Sequence, residues 1–532
     1  MADFYPEQSF KKSESLKDNN KNFEIAKVFG SRVFSEQSVL EILSEFLNVV
    51  KSDKDIKSKK SLDQKNTDFF PQIKLEDIDS LYYSDESNLK LKLFSLYICS
   101  ADSSIHPAHS AYYEILRSKL NDKIDVTDNS KELDNNKVIS ILENLFMGFQ
   151  GIGVNRDWCG QSFLPVREEF LAGETIWQGK KANDYKPDEN DISKVFKYFQ
   201  RSGHNLYART GEVLYLEILA ALNRDPSEII DLLEGEFKGI YFSEEEKNPV
   251  YIRQELDKGL TNLLNNKSPK VLGDIANFIN TTDKDTRLNS LNTENEKANS
   301  INIGWIPLNN WKYGYLIAVE MVRIFAVNMD VIEEIDMLEN LIVLHNLRRF
   351  TFASSEYLGE KKPLIAIIDS DTKDTDLKEI SRHSYRYCLN IINKVITELC
   401  ENQSDVRKMN ARYGTGAFTR WAKSIEFLVP KTGDYNKFVL TNGMLNCLIS
   451  STLRPNQQVS LDTFLEQLKY RFGMVFDNKG FNEVNRRIGK KQNIFSENTL
   501  DWLVKMLDES GYLIKLSDYV SLVKNVSIEQ KN

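Results

Sequence analysis

Val39, Ile42, Leu43, Phe46 and Val49 or Val50 recur at three- and four-residue steps, the spacing that gathers apolar side chains on one face of a helix. The same spacing predicts helix through most of 23–50 and over 138–149, 192–200, 211–222, 226–233, 252–264, 271–279 and 313–347, with a further long helix near 380–401. The helix within 23–50 is expected to pack on the segment 89–116. Asp225-Pro226 places a proline at a first helical turn, where its missing N–H costs nothing. The run Pro363 to Asp369 differs: it is short, continuously apolar and bounded by Pro and Asp, as a buried strand is.

Three stretches lack periodicity and are polar, 51–66, 121–136 and 281–300, and they read as loops. Beyond them, 437–450 reads as a short strand then a helix, 460–473 as a helix with a serine cap, and 496–511 as a helix stopped by Gly511. Two short strands follow around Ser517-Asp518. Three helices and then a β-hairpin is the order of a winged helix. The expected fold is therefore mainly α and multi-domain, with a short buried strand near 364–369. Its parts are an N-terminal helical domain with polar loops (1–137), a central helical domain (138–280), a linker (281–300), a helical domain with a small strand element (301–435) and a winged-helix domain (436–532).

Length and composition narrow the class. A chain of 532 residues is long enough for roughly three or four domains. With 28% charged and 41% hydrophobic residues it belongs with packed proteins, not disordered ones. No cationic segment precedes an apolar run at the start, and nowhere do about 18 apolar residues occur without charge, so the expected place is the cytoplasm, away from membranes. The five cysteines, Cys99, Cys159, Cys388, Cys400 and Cys447, show no C-x-x-C and no histidine at zinc spacing, so buried reduced thiols and no metal or cofactor are expected.

Charge is unevenly placed. The whole chain carries −9, yet 406–492 holds fifteen Lys/Arg against six Asp/Glu, a local +9 that leaves −18 for the remainder. A basic face on an acidic protein is where a polyanion docks without making the whole surface adhesive. Arg407, Lys408, Arg412, Arg420 and Lys423 surround Tyr413-Gly-Thr-Gly416, and Arg486, Arg487, Lys490 and Lys491 cluster before the last helix. Interleaved with Tyr413, Phe418, Trp421, Tyr470 and Phe481, these cations suit a nucleic-acid backbone and its bases.

Other candidate sites compete with this one. The glycines of Gly148, Gly151 and Gly153 follow a helix and precede no Lys-Ser or Lys-Thr, which excludes a phosphate loop. Cys159 with His204 is a candidate thiol pair for hydrolysis. The bland reading of the same two segments has Arg156, Asp157, Arg201, Arg209 and Glu212 locking two loops by ion pairs, with Trp158 and Trp177 between the helices, and a third leaves the arginines free to grip an anion. Asp369 and Asp371, at a strand end, are the type of carboxylates that hold magnesium in a nuclease, or else an ordinary acidic turn.

The sequence from Arg471-Phe-Gly-Met-Val-Phe-Asp477, and above all Leu500 to Lys524, resembles the C-terminal winged helices of accessory proteins encoded in bacterial anti-phage defence and restriction loci. The resemblance covers about the last fifth of the chain. It implies a non-catalytic subunit working beside an ATPase, helicase or nuclease, which binds DNA, double-stranded by preference, or holds the complex together as a protein scaffold.

Overall fold

The computed structural model describes residues 3–15, 23–31, 39–51, 68–73, 210–264, 304–400, 402–491, 499–516 and 521–526, the strands at 54–56, 65–66, 81–83, 175–177 and 204–206, and the single positions 33, 35, 37 and 137. Helix predominates over few short strands. The expectations for 89–116, 138–149, 192–200 and 271–279 lie outside the described residues.

Strand β1 (Phe4–Tyr5) leads into α1 (Glu7–Ser15), α2 (Phe23–Phe29) and α3 (Val39–Lys51). Helix does not run unbroken through 23–50, because Gly30 takes φ +83 and its N–H closes the last turn of α2 on the Ala26 carbonyl. Two small antiparallel sheets follow: β2 (Lys54–Ile56) with β3 (Lys65–Asn66) and β4 (Leu81–Tyr83), and β5 (Thr175–Trp177) with β6 (His204–Leu206).

The centre of the molecule is α4 (Thr210–Leu222), buried at every position. A helix covered on all sides needs partners on all sides. It packs between α3 and a later helix, and both crossings are closed by glycine: a Cβ on Gly211 would lie 2.4 Å from the Ile42 carbonyl oxygen of α3. Helix α5 (Pro226–Glu234) starts as expected, with Asp225 and Glu228 forming a reciprocal capping box. Then come α6 (Pro249–Leu264), β7 (Ile306–Pro307), which pairs with β1, and α7 (Trp311–Phe325) against α4.

The single helix expected over 313–347 is two. Asn328 adopts φ +58 after α7, and Asp330 then caps α8 (Val331–Tyr357) by accepting from the Ile332 N–H. The strand expected near 364–369 is β8 (Ile365–Ile368), buried at all four positions. The long helix after it is α9 (Thr375–Leu399), followed by α10 (Gln403–Tyr413) and α11 (Thr415–Ser424).

A four-stranded sheet gathers β8 with β9 (Leu428–Val429), β10 (Lys437–Val439) and, after α12 (Asn442–Thr452), β11 (Gln458–Ser460) and α13 (Leu461–Phe472), with β12 (Met474–Val475). Its order is β12-β8-β10-β9, parallel except for β9. The boundary expected at 435/436 runs through this sheet, since Lys437 pairs with Val429 and Phe438 with Leu428. Helix α14 (Asn478–Arg487) packs on β8 and α9, burying Phe481 and Val484 with Leu364, Ala366, Ile368 and Ile380.

The chain ends in α15 (Asp501–Glu509), β13 (Leu513–Lys515) and β14 (Ser521–Lys524). The expected hairpin is present, with Leu513 opposite Val523 and Lys515 opposite Ser521. With β11 on its far side the sheet has the order β11-β14-β13, so α12, β11, α13, α15, β13 and β14 form a unit of three helices and three antiparallel strands. Between the second and third of these helices stand β12 and α14, and β12 joins the other sheet. Among the described residues, no helix is long and apolar enough to cross a membrane.

A chain of charges runs through the core. Glu217 of α4 accepts from His345 Nε2 at 2.9 Å and from Arg349 at 3.2 Å, Glu320 of α7 is held by both terminal nitrogens of Arg348 at 2.9 Å and by Arg471 at 3.2 Å, and Glu246 clasps Arg323 at 2.7 and 2.8 Å. His345 Nδ1 faces a donor, Arg348 Nη2, at 3.2 Å, so Nε2 carries the proton and the ring is neutral. Burial, with Arg348 and Arg349 alongside, holds its pKa below 6.5 despite Glu217. In the unfolded chain it protonates near 6.5, so this contribution is fully present above 6.5 and is lost as pH falls below it. Urea denaturation at pH 7.5, 6.5 and 5.5 is expected to show stability falling with pH, with a shallower fall in His345→Asn. An identical slope in both proteins assigns the dependence elsewhere.

Candidate nucleic-acid interface

Helix α9 is the spine of the basic region. Asp374 caps it by accepting from the Asp376 and Leu377 N–H groups, and Ile380, Cys388, Ile391, Ile392, Val395 and Ile396 turn inward. The outer side then carries Lys378, Arg382 and Arg386 at four-residue steps.

Against its C-terminal half packs the α10–α11 corner, which only glycine allows. A Cβ on Gly414 would lie 2.1 Å from Ile396 Cδ1, and one on Gly416 2.0 Å from the Ala411 carbonyl oxygen. Tyr413-Gly-Thr-Gly416 is thus a tight corner that brings two helices onto α9. Between the three helices lies an open groove of about 770 Å³. Leu389, Asn393 and Thr397 of α9 form one wall, Arg407 and Asn410 of α10 and Thr415, Thr419 and Arg420 of α11 the others. Arg407 and Arg420 are exposed and line the groove from α10 and α11. Asn410, 8% exposed, donates from Nδ2 to Asn393 at 2.5 Å and leaves its Oδ1 without a partner.

Beside the groove, Thr419 Oγ1 lies 2.9 Å from Tyr385 Oη, and Asn436 Nδ2 donates to that same Oη at 3.4 Å. The next residue, Tyr435, is 71% exposed, with the Arg382 guanidinium 5.2 Å from its ring centre. Lys437 donates to the Ser370 carbonyl, and its pKa is pushed down by partial burial and then by Lys378 and Arg382, against the pull of Asp369 and Asp371. Lys423 donates to the Gly433 carbonyl at 3.2 Å.

On the other flank of α9 stands α14. Arg487 is tied to Glu483 and to the Lys362 carbonyl, and Lys490 donates to His383 Nε2 at 2.8 Å, whereas Arg486 and Lys491 are exposed and make no ion pair among the described residues. Because lysine only donates, His383 is neutral there, and partial burial with Lys490, Arg386 and Arg382 lowers its pKa against Glu379.

The structure thus brings Arg407 and Arg420 together in one groove, leaves Lys408 and Arg412 on the exposed side of α10, and sets Arg486 and Lys491 across α9. It removes three expected stacking residues: Phe418, Trp421 and Phe481 are buried in the core, Trp421 donating from Nε1 to the Gln37 carbonyl. Sequence reasoning missed Lys378, Arg382, Arg386, Lys437 and Tyr435, although the four-residue steps on α9 were legible.

Asp369 and Asp371 form a turn in which the Asp371 N–H donates to Asp369 Oδ1 at 3.1 Å. Among the described residues, no group of three His, Cys, Asp or Glu is placed to hold a metal ion. Cys388 and Cys447 are buried, and burial pushes the Cys388 thiol up to about 12. Arg156, Asp157, Cys159, Arg201 and Arg209 lie outside the described residues, as does the side chain of His204. Glu212 is buried in α4, and its carboxylate leaves no room for a Cβ on Gly304.

Compared with protein families, with curated proteins and with solved structures, this chain matches none.

Proposed function

We propose that this protein is a non-catalytic, DNA-associated subunit of a larger assembly, and that its DNA contact is the basic face around α9, α10, α11 and α14. The observation that carries this reading is the groove that Arg407 and Arg420 line together. The defence-complex setting, with an ATPase, helicase or nuclease as partner, is supported by the resemblance of the last fifth of the sequence.

The terminal unit of α12, α13, α15 and the β11-β14-β13 sheet has the element order of a winged helix with an insertion, and we assign it a protein-docking role. Its third helix, α15, exposes Asp501, Asp508 and Glu509, with Lys515 paired to Asp508 at 2.7 Å and Lys505 to Glu509 at 3.7 Å, so this face carries no excess of cations for phosphate. The acidic remainder of the chain suits the same purpose.

The test is binding of a labelled oligonucleotide by fluorescence anisotropy over a salt series. Arg407→Ala with Arg420→Ala is expected to weaken binding about tenfold and to lower the salt slope by about 0.7–0.9 for each phosphate that is no longer neutralised. Arg486→Ala with Lys491→Ala is expected to act in the same direction, and Lys505→Ala on α15 to change nothing. DNA affinity that ignores both basic pairs would dismiss this face.

A further inference from the structure

The groove and the exposed tyrosine beside it are neighbours, and together they describe a ligand narrower than a duplex. Thr419, on the groove wall, reaches Asn436 through the Tyr385 hydroxyl by hydrogen bonds of 2.9 and 3.4 Å, which ties the residue next to Tyr435 to the groove wall. Tyr435 is the most exposed large hydrophobic side chain among the described residues, and its ring is held beside Arg382. An aromatic face flanked by a guanidinium is what a splayed base stacks on.

We infer that this surface binds single-stranded DNA, with a phosphate of the strand seated in the groove between Arg407 and Arg420 and an adjacent base stacked on Tyr435. The inference rests on the DNA-contact reading above and specifies the form of DNA. Duplex bases are paired and stacked on one another, so a duplex offers a phosphate to Arg407 or Arg420 but no free base face to Tyr435. The groove lies between packed helices, α9 on one side and the α10–α11 corner on the other, and offers the strand a lining of Arg407, Arg420 and uncharged polar side chains. The carboxylates nearest in sequence, Glu398 at the end of α9 and Asp405 at the start of α10, do not line the groove.

The experiment compares a labelled single-stranded oligonucleotide with the blunt duplex of the same sequence, using the full chain and its Tyr435→Ala and Tyr435→Phe variants. The expected result is single-strand affinity at least about tenfold above duplex affinity, a further loss of about tenfold in Tyr435→Ala with an unchanged salt slope, and near-complete retention in Tyr435→Phe. Tyr435 is on the surface, so the variants are expected to fold, which circular dichroism checks. Duplex binding as tight as single-strand binding, with Tyr435→Ala silent, overturns this inference and leaves the basic face as a duplex contact. Absence of binding to either form overturns both readings.

Discussion

Replacing Glu320 by Gln is expected to cost about 3–5 kcal/mol of stability, read as a lower urea midpoint. The residue is fully buried on α7, where its two oxygens take both terminal nitrogens of Arg348 and one of Arg471. Those arginines are themselves covered, at 1% and 0% exposure, so no water reaches them when the carboxylate is neutralised. Arg471 is already strained in this sense: burial and neighbouring Arg323 pull its pKa down to about 9 even with Glu320 and Glu246 opposing. The amide keeps the shape but removes the compensating charge and turns one acceptor oxygen into an NH2 that faces an arginine donor, so the loss measures polar interactions and not a cavity. Replacing the whole set, Glu320→Met with Arg348→Met and Arg471→Met, is expected to recover much of it, because well-packed apolar groups avoid the desolvation that the ion pairs only offset. A silent Glu320→Gln would mean that the network is open to solvent.

How much of this was legible beforehand depends on whether the cause is local. The caps were: Asp225-Pro226 before α5, Ser460 before α13 and Gly511, at φ +76 just past α15, act through their own backbone neighbourhood, and each stands where the sequence put it. The break between α7 and α8 was not, since apolar spacing continues across 326–330 and only the positive φ of Asn328 and the Asp330 cap interrupt it. Helix α14 escaped because just Phe481 and Val484 mark its inner side, and its helicity is secured by packing on β8 and α9. Strands of two residues such as β9 and β12 are set by pairing with distant partners and leave no period of their own.

The candidate site divides in the same way. Clustering of the cations in 406–492 is a property of composition and was visible; the groove is not, because it exists only once α9 lies beside the α10–α11 corner. The aromatic residues were misjudged for a related reason. Phe418 and Trp421 alternate with Arg420 and Lys423 in sequence, but on a helix that alternation sends the rings inward and the cations outward. Tyr435, in the β9–β10 connection, has no periodic neighbours to mark it.

Gly314→Ala is expected to be the most damaging small substitution in the core. Gly314 lies on α7 where it crosses α4, and a Cβ there would sit 2.0 Å from the Glu217 carbonyl oxygen and 2.2 Å from its carbon. Both contacts are backbone, so no side-chain rotation relieves them, and the two helices must separate. Gly211 makes the corresponding crossing of α4 with α3, so a shift of α4 away from α7 is resisted on its opposite side. Overpacking of this kind costs roughly 1–3 kcal/mol where neighbours yield, and the upper end or beyond is expected here because they are helical backbone. Displacement of α4 also moves Glu217 against His345 and Arg349, adding to the loss. On an exposed helix the same change would stabilise by about 0.5–1 kcal/mol, since alanine is the better helix former. The sign of the change in urea midpoint therefore decides: a fall places the α4–α7 contact at glycine distance, and a rise would show that the helices are further apart than this packing requires.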